Sequence, residues 1–337
     1  MDLEEFNYDL PEERIAQSPL CDRVSSKLLV ANSKRIIRAK FQDLDHFLNK
    51  GDLIVLNDTK VINARIYAKR STGRDVEIML ERVMSPFIAL ARLGNAKNIS
   101  EGENLLIDQK QSIKVIERNG NIFTLEFETN ISEILNEYGS VPLPPYITRK
   151  PDLNDSSRYQ TVYAREEGAI AAPTAGLHFD KPMIEKIRNN GIDIEFLTLH
   201  VGFGTFTPIK TQNISDHKMH EEYVHVSEHL CNKIIATKKK GGRVIAVGTT
   251  TTRALESCHQ GKNLEPKKGY TNLYICPGFK FNVVDAMITN FHQPKSSLMV
   301  MIAAFIGTEA VKKIYQSAIN NRYRFLSYGD VTLLERS

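Results

Sequence analysis

Several short stretches of this sequence set proton-transferring or anion-holding side chains among glycines and prolines. The longest is Ala169-Ile170-Ala171-Ala172-Pro173-Thr174-Ala175-Gly176-Leu177-His178-Phe179. Pro173 removes a backbone donor and restrains Ala172, while Gly168 and Gly176 allow a tight path, so the stretch is a loop and not one continuous helix or strand. Small residues let a ligand approach the backbone, and Tyr163, Arg165, Glu166, Glu167, Thr174 and His178 stand near in sequence to give or take protons. Local composition alone fits an ordinary structural loop equally well. A second loop of the same kind, His200-Val201-Gly202-Phe203-Gly204-Thr205-Phe206, closes the apolar run Ile192 to Leu199 and favours two walls of one site.

Other constellations carry less specific signals. Gly248-Thr249-Thr250-Thr251-Thr252-Arg253 follows the strand-like run Arg243 to Val247 and opens a helix. Free amides and hydroxyls at such a turn suit a carboxylate or a phosphate, with Arg253 as reader of a charged ligand; Thr251 and Thr252 are better read as capping. Neither a GxxxxGK[ST] loop nor a GxGxxG turn after a strand is present. His217-Lys218-Met219-His220 has the spacing that sets two imidazoles on one helix face. No third ligand is near, so proton transfer or ligand contact is expected there and not a metal. Asn57-Asp58-Thr59-Lys60 and Thr289-Asn290-Phe291-His292 each end an apolar run, where a charged site at a sheet edge competes with a plain surface turn. Tyr328-Gly329-Asp330 reads as a turn or as pocket lining.

The elements that must position these groups fall into two textures. Asp9 and Pro11 suggest a short capped helix, Leu28 to Val30 a strand, and Phe41 to Leu48 a helix ending at Gly51. From Asp52 come short strand-like runs, Leu53 to Leu56, Val61 to Ala68, Val76 to Leu80, Ile88 to Leu93, Ile113 to Ile116 and Phe123 to Phe127. The Asn119-Gly120 pair is a strong hairpin signal, and no convincing helix interrupts the region, so a compact all-β barrel is expected. Ile131 to Tyr138 looks helical, and Pro142-Leu143-Pro144-Pro145-Tyr146 reads as a stiff junction. Beyond it helices (Lys181 to Asn190, Ser227 to Lys240, one after Pro294, Glu309 to Asn320) alternate with strands (Ile192 to His200, Arg243 to Val247, Leu273 to Cys276). The expected fold is α/β with two domains: a larger domain of layered sheet and helices, 1–60 with 150–337, and a smaller barrel-like all-β domain, 61–149, inserted into it.

The chain has 337 residues, 44 basic and 40 acidic, and a net charge of +4, which permits a local basic face without demanding nucleic acid. Candidate basic patches are Lys34-Arg35 with Arg38 and Lys40, Lys69-Arg70 with Arg74, Arg149-Lys150, and Lys238-Lys239-Lys240. With Tyr146, Tyr159, Tyr163 and Phe203 they would suit a structured RNA whose splayed base stacks in a pocket. The acidic start Met1-Asp2-Leu3-Glu4-Glu5, an apolar run limited to Leu298 to Gly307, and four cysteines without paired spacing point to a cytoplasmic protein with reduced thiols and no membrane span.

At these motifs the chain resembles the S-adenosylmethionine:tRNA ribosyltransferase-isomerase family of queuosine biosynthesis. The resemblance rests on Tyr159 to Ala164, Gly168 to Phe179, Leu199 to Gly202 with Gly204 to Phe206, Leu56 to Val61, Leu143 to Ile147, His217 to His220, Gly248 to Thr250 with Arg253, Thr289 to His292, and Tyr323 to Phe325 with Ser327 to Asp330. It spans nearly the whole chain, with departures at Val24-Ser25-Ser26-Lys27, where Asp-x-Ser-Arg is expected, and at Gln293. Lys27 in place of Arg weakens any bidentate contact made there.

The resemblance implies transfer and isomerisation of the S-adenosylmethionine ribosyl group onto 7-aminomethyl-7-deazaguanine at a tRNA wobble position, giving epoxyqueuosine-tRNA with release of adenine and methionine. It implies no metal or redox cofactor, the two substrates as partners, and a monomer. Acid–base candidates are then His178, His200, His220, His292 and Asp58. Substrate contacts are expected from Tyr163, Thr174, Gly176, Gly202, Gly204, Thr205, Gly248, Thr249, Thr250, Arg253, Asn290, Tyr328 and Asp330. Two rivals are an S-adenosylmethionine-dependent methyltransferase, disfavoured by the missing glycine-rich turn after the first strand, and a non-catalytic RNA-binding module.

Overall fold

Leu53 to Leu56 is apolar on both sides of its pleat, the mark of a strand with helices above and below. In the computed structural model, which describes residues 1–108, 111–261 and 263–336, it lies near the middle of a nine-stranded sheet. The order is Lys267–Thr271, Glu222–Val226, Asp193–Leu199, Leu53–Asn57, Val244–Val247, Ala286–Asn290, Val331–Glu335, Lys27–Ala31, Ile36–Lys40. The third to sixth strands are mutually parallel. Val331–Glu335 then runs antiparallel to Ala286–Asn290 and parallel to Lys27–Ala31.

Alternating residues sort the core into two layers, as a period of two requires. Leu53, Val55, Val244, Ala246 and Met287 face Leu230, Ile234 and Leu255 on helices Glu228–Lys239 and Thr249–Glu256, and the apolar helix Ser297–Ile306 packs on this side. Ile54, Leu56, Ile245, Val247 and Ile288 face Met183, Ile184 and Ile187 of helix Lys181–Asn189. The helix starts are set by caps: Ser227 accepts from the Leu230 amide at 3.2 Å and Asp180 from the Met183 amide at 2.8 Å.

The β-rich texture forms a closed antiparallel six-stranded barrel of Arg65–Arg70, Asp75–Ser85, Ile88–Leu93, Asn104–Leu106, Ser112–Asn119 and Ile122–Phe127. Closure leaves no unpaired sheet edge. Asn119 opposes Ile122 across the expected hairpin, with Gly120 at φ 62°. Ile66, Ile78, Leu80, Val115 and Phe123 fill the interior, and helix Ile131–Tyr138 packs on it through Ile131, Ile134 and Leu135.

Five local expectations differ from the structure. Leu53–Asn57, which opens the β-rich texture, joins the large sheet and not the barrel. Asp9 is not a helix cap: the chain after it forms the 3₁₀ segment Glu12–Arg14, whose cap position falls on Pro11. Leu273 to Cys276 is not a strand, because the Thr271 hydroxyl takes the Leu273 amide at 3.3 Å and turns the chain out of the ladder. His217 to His220 is not helical: the 3₁₀ turn Ile214–Asp216 ends in extended backbone at His217, leading into Glu222–Val226. The expected helix at Phe41 is a 3₁₀ segment, Phe41–Phe47.

Candidate active site

The parallel strands bring the separated motifs to one edge of the sheet. Leu199, Asn57, Val247 and Asn290 are their carboxyl ends, and each is followed by one of the polar loops. Ligands in open α/β sheets bind at such an edge. The antiparallel return of Val331–Glu335 adds Tyr328 to Asp330 there, and Lys27–Ala31 adds Ser26.

Two adjoining pockets open at this edge. The first is lined by Ala171 to Ala175, Gly248 to Thr250 and Thr289 to Gln293, among others, including Tyr146. The second lies between sheet and barrel and takes in Glu166 to Gly168, His200 to Gly202, His220 to Glu222, and the barrel residues Arg82 and Val83. Val201 and Thr205 belong to both. The two glycine loops are thus walls of neighbouring spaces, with Thr174 in the first, Gly202 and Gly204 in the second, and Thr205 between them.

At the head of helix Thr249–Glu256, Gly248 has φ 96° and no side chain caps the first turn. Thr251 and Thr252 do not cap either; their hydroxyls bond back to the carbonyls of Val247 and Gly248, at 2.6 and 3.2 Å. The Thr250 hydroxyl is buried with no partner among the described residues.

Arg253 does not line either pocket, which corrects its expected role as reader of a ligand. Its guanidinium is buried, with Nη1 donating to Glu222 Oε2 and Nε to the Leu273 carbonyl at 3.0 Å. The other Glu222 oxygen accepts from the Gly202 amide at 3.1 Å and the Thr205 hydroxyl at 3.3 Å. Arg253 therefore holds the second glycine loop through Glu222.

The four candidate histidines do not converge. His292 lines the first pocket, with Nε2 2.9 Å from Thr289 Oγ1, and burial pushes its pKa down to about 3. His200 and His220 line the second. His200 Nδ1 sits 2.8 Å from Thr59 Oγ1, its ring stacks on Tyr223, and burial lowers its pKa against the opposing pull of Glu166 and Asp58. His178 lines neither. Its Nδ1 is 2.7 Å from Ser26 Oγ and its Nε2 3.1 Å from Asn290 Nδ2. Burial, then the positive Arg324 and Arg23, push it down to about 3, so it is a neutral ring behind Asn290.

Asp58 is also withdrawn from the pockets: its carboxylate accepts from Thr198 Oγ1 at 2.7 Å and Arg165 Nη2 at 2.8 Å. Tyr328 and Asp330 are fixed internally. The Tyr328 hydroxyl donates to Asp155 at 2.7 Å, and Asp330 accepts from the amides of Lys27 and Arg324 at 3.0 and 2.8 Å. Tyr163 packs against Gly176: a Cβ there would stand 2.1 Å from its hydroxyl oxygen. Gly204 is matched to His220 in the same way, at 2.4 Å from Cδ2.

Several expected RNA-facing cations are committed to internal ion pairs: Arg70 to Glu103 at 2.6 Å, Arg149 to Asp155 at 2.6 Å, Arg35 to Glu335 at 2.9 Å and Lys238 to Asp285 at 3.0 Å. Tyr159 is buried and offers no face for stacking, and the Phe203 side chain lies outside the described residues. Sequence reasoning missed Ser26 and Glu222, and singled out the stretch at Asn57 without giving Asn57 itself a role. Asn57 bonds both the amide and the carbonyl of Leu199, at 3.0 and 2.9 Å, and so fixes the start of the second glycine loop. The only signal for Glu222 was its place after the histidine pair.

Comparison with known proteins identifies the family. The family model described as "Queuosine biosynthesis protein" matches residues 3–334. The S-adenosylmethionine:tRNA ribosyltransferase-isomerase of Legionella pneumophila (strain Lens) is 45% identical over 336 residues, covering 99% of this chain and 100% of that protein. The protein of the same name from Francisella tularensis subsp. mediasiatica is 44% identical, covering 99% and 100%. A crystal structure of S-adenosylmethionine tRNA ribosyltransferase from Thermotoga maritima matches at 32% identity and a TM-score of 0.57, covering 98% of this chain and 99% of that one. With a family match across almost its entire length and relatives aligned end to end, this chain belongs to the queuosine biosynthesis protein family.

Proposed function

We propose that the protein is an S-adenosylmethionine:tRNA ribosyltransferase-isomerase. It moves the ribosyl group of S-adenosylmethionine to the aminomethyl nitrogen of 7-aminomethyl-7-deazaguanine at the tRNA wobble position and isomerises it to the epoxycyclopentane of epoxyqueuosine, with adenine and methionine leaving. The observation that carries this reading is the pair of pockets sharing Val201 and Thr205, one with an uncapped helix start and the other rich in titratable groups and open between sheet and barrel. A donor with an anionic end and a base presented by a folded RNA would meet across that shared wall.

The reaction needs a base beside the sulfonium carbon and an acid for the departing adenine. His200 and His220, which face the second pocket, are the residues we assign to proton transfer, with Glu166 and Glu167 beside them. His292 contacts substrate in the first pocket as a neutral ring, and Thr174, Gly202, Gly204, Thr205 and Gly248 to Thr250 embrace the nucleoside and the anionic end. His178, Asp58, Tyr163, Gly176, Arg253, Tyr328 and Asp330 position these groups from behind. We further infer that the reaction runs without a metal or redox cofactor, in the cytoplasm and on a monomer, and that 61–149 acts as a separate barrel domain against 1–60 with 150–337. Among the described residues no helix is long and apolar enough to cross a membrane.

Adenine release from S-adenosylmethionine, measured with and without tRNA carrying the aminomethyl base, tests the reading. Release that depends on the modified tRNA, with the nucleoside gaining the mass of the ribosyl unit, is the expected result. Methyl transfer to RNA, or tight RNA binding without consumption of S-adenosylmethionine, would replace it with one of the two rivals.

A further inference from the structure

Two buried polar atoms in the first pocket have no partner among the described residues: Thr250 Oγ1 and Asn290 Oδ1. Buried polar groups are nearly always satisfied by protein, water or ligand, so each is an open hydrogen-bonding position facing the pocket. Both residues are more than nine-tenths buried, at 7% and 2% exposure. Their demands are complementary.

Asn290 can turn only one way. Its Nδ2 lies 3.2 Å from the Leu326 carbonyl and 3.4 Å from that of Asp330, and both can only accept. The atom left over is an acceptor that needs a donor. Thr250 lies in the uncapped first turn of Thr249–Glu256, where the leading amides are donors in search of an acceptor. The register that sets Val247 opposite Ile288 puts the start of this helix beside the strand end at Asn290, and both residues line the same pocket.

The rest of the lining decides what kind of ligand meets both demands. Among the described residues it contains no Lys, Arg, Asp or Glu, and its histidine, His292, is held neutral. A phosphate would bring net negative charge to a space with no cation and leave Asn290 Oδ1 unmet. A group with a carboxylate and an ammonium is neutral overall and answers both. Ala171, Phe291 and Leu298 supply apolar surface, and Tyr146 meets Phe206 edge to face at 5.9 Å, aromatic faces that suit a sulfonium.

We propose that the first pocket is an α-amino-acid subsite for the methionine end of S-adenosylmethionine, with the carboxylate on the Thr249 to Thr251 amides and the Thr250 hydroxyl and the ammonium on Asn290 Oδ1. This rests on the ribosyl-donor reading and settles the choice between carboxylate and phosphate in favour of the first. It directs the sulfonium toward Val201 and Thr205, so that the ribose enters the second pocket beside His200.

The test uses the full chain with the aminomethyl-bearing tRNA and two donors, S-adenosylmethionine and its decarboxylated analogue. Thr250→Val should raise the KM for S-adenosylmethionine about tenfold. The KM for the decarboxylated donor should barely change, since the contact is already missing. With the unaltered protein, L-methionine should compete with S-adenosylmethionine and inorganic phosphate should not. Equal KM increases for both donors would make Thr250 merely structural and overturn the subsite, as would competition by phosphate and not by methionine. If the unaltered protein released no adenine, the ribosyl-donor reading would fall instead. Equilibrium dialysis of methionine against the Thr250→Val protein, checked for a normal thermal transition, then tests the subsite alone: retained binding sinks it.

Discussion

Arg253 of helix Thr249–Glu256 and Glu222 of strand Glu222–Val226 form a buried ion pair whose second carboxylate oxygen fixes the amide of Gly202. Neither charge has bulk water to fall back on, so losing one partner leaves the other stranded. Glu222→Ala should lower the unfolding free energy by about 3–5 kcal/mol, read as a shifted urea midpoint. It should also free Gly202 and Thr205, and raise KM in the surviving folded fraction. A midpoint within error of the parent would show that the pair contributes little.

His200 is half-buried, and burial holds its pKa below the usual histidine value while Glu166 and Asp58 pull it up. It is therefore neutral and able to accept a proton at neutral pH. His200→Ala should cut kcat about 100- to 10,000-fold with an unchanged thermal transition. In the parent, kcat/KM should fall on the acid side of the ordinary histidine range. Glu166→Gln removes a charge that raises the pKa, so that limb should move further toward acid; a limb that stays put would exclude His200 as its source.

Gly176→Ala forces a methyl group against the Tyr163 hydroxyl, at 2.1 Å, and also crowds Thr161 Cγ2 at 3.0 Å. The loop must shift, and activity should collapse while the protein still folds. Tyr163→Phe removes the nearest obstacle, so the double variant should recover part of the loss. No recovery would mean that the clash with Thr161 governs.

Acid should unfold this protein through its buried histidines. His178 and His292 are each pushed down to about 3 by burial, against about 6.5 in an unfolded chain. Between those values the unfolded chain binds protons that the native one refuses, so their stabilisation is complete above about pH 6.5 and is lost as pH falls toward 3. Melting temperature should drop between pH 7 and pH 5, and His292→Gln should flatten the slope. An identical slope in the variant would assign acid unfolding to other groups.

What the sequence made legible was whatever depends on near neighbours. Asn119-Gly120 marks its hairpin, Ser227 its helix start, and the polar tetrads after apolar runs mark the strand ends that build the site. Partnerships over long separations left no local trace. Arg253 looks like a free cation until Glu222 is placed beside it, and Tyr328 looks like pocket lining until Asp155 takes its hydroxyl. The histidine pair misled for a similar reason. Spacing alone suggests one helix face, but the chain must be extended there to reach its strand at Glu222.

Val331–Glu335 sits between Ala286–Asn290 and Lys27–Ala31, with the ribbon Lys27–Ala31 and Ile36–Lys40 attached to the sheet only through it. During synthesis, residues made near the start must therefore wait for residues made near the end before they dock. Ser26 reaches His178 from that ribbon. A growing chain can assemble the parallel quartet and the barrel, yet it cannot seat Ser26 on His178 before Val331–Glu335 is in place.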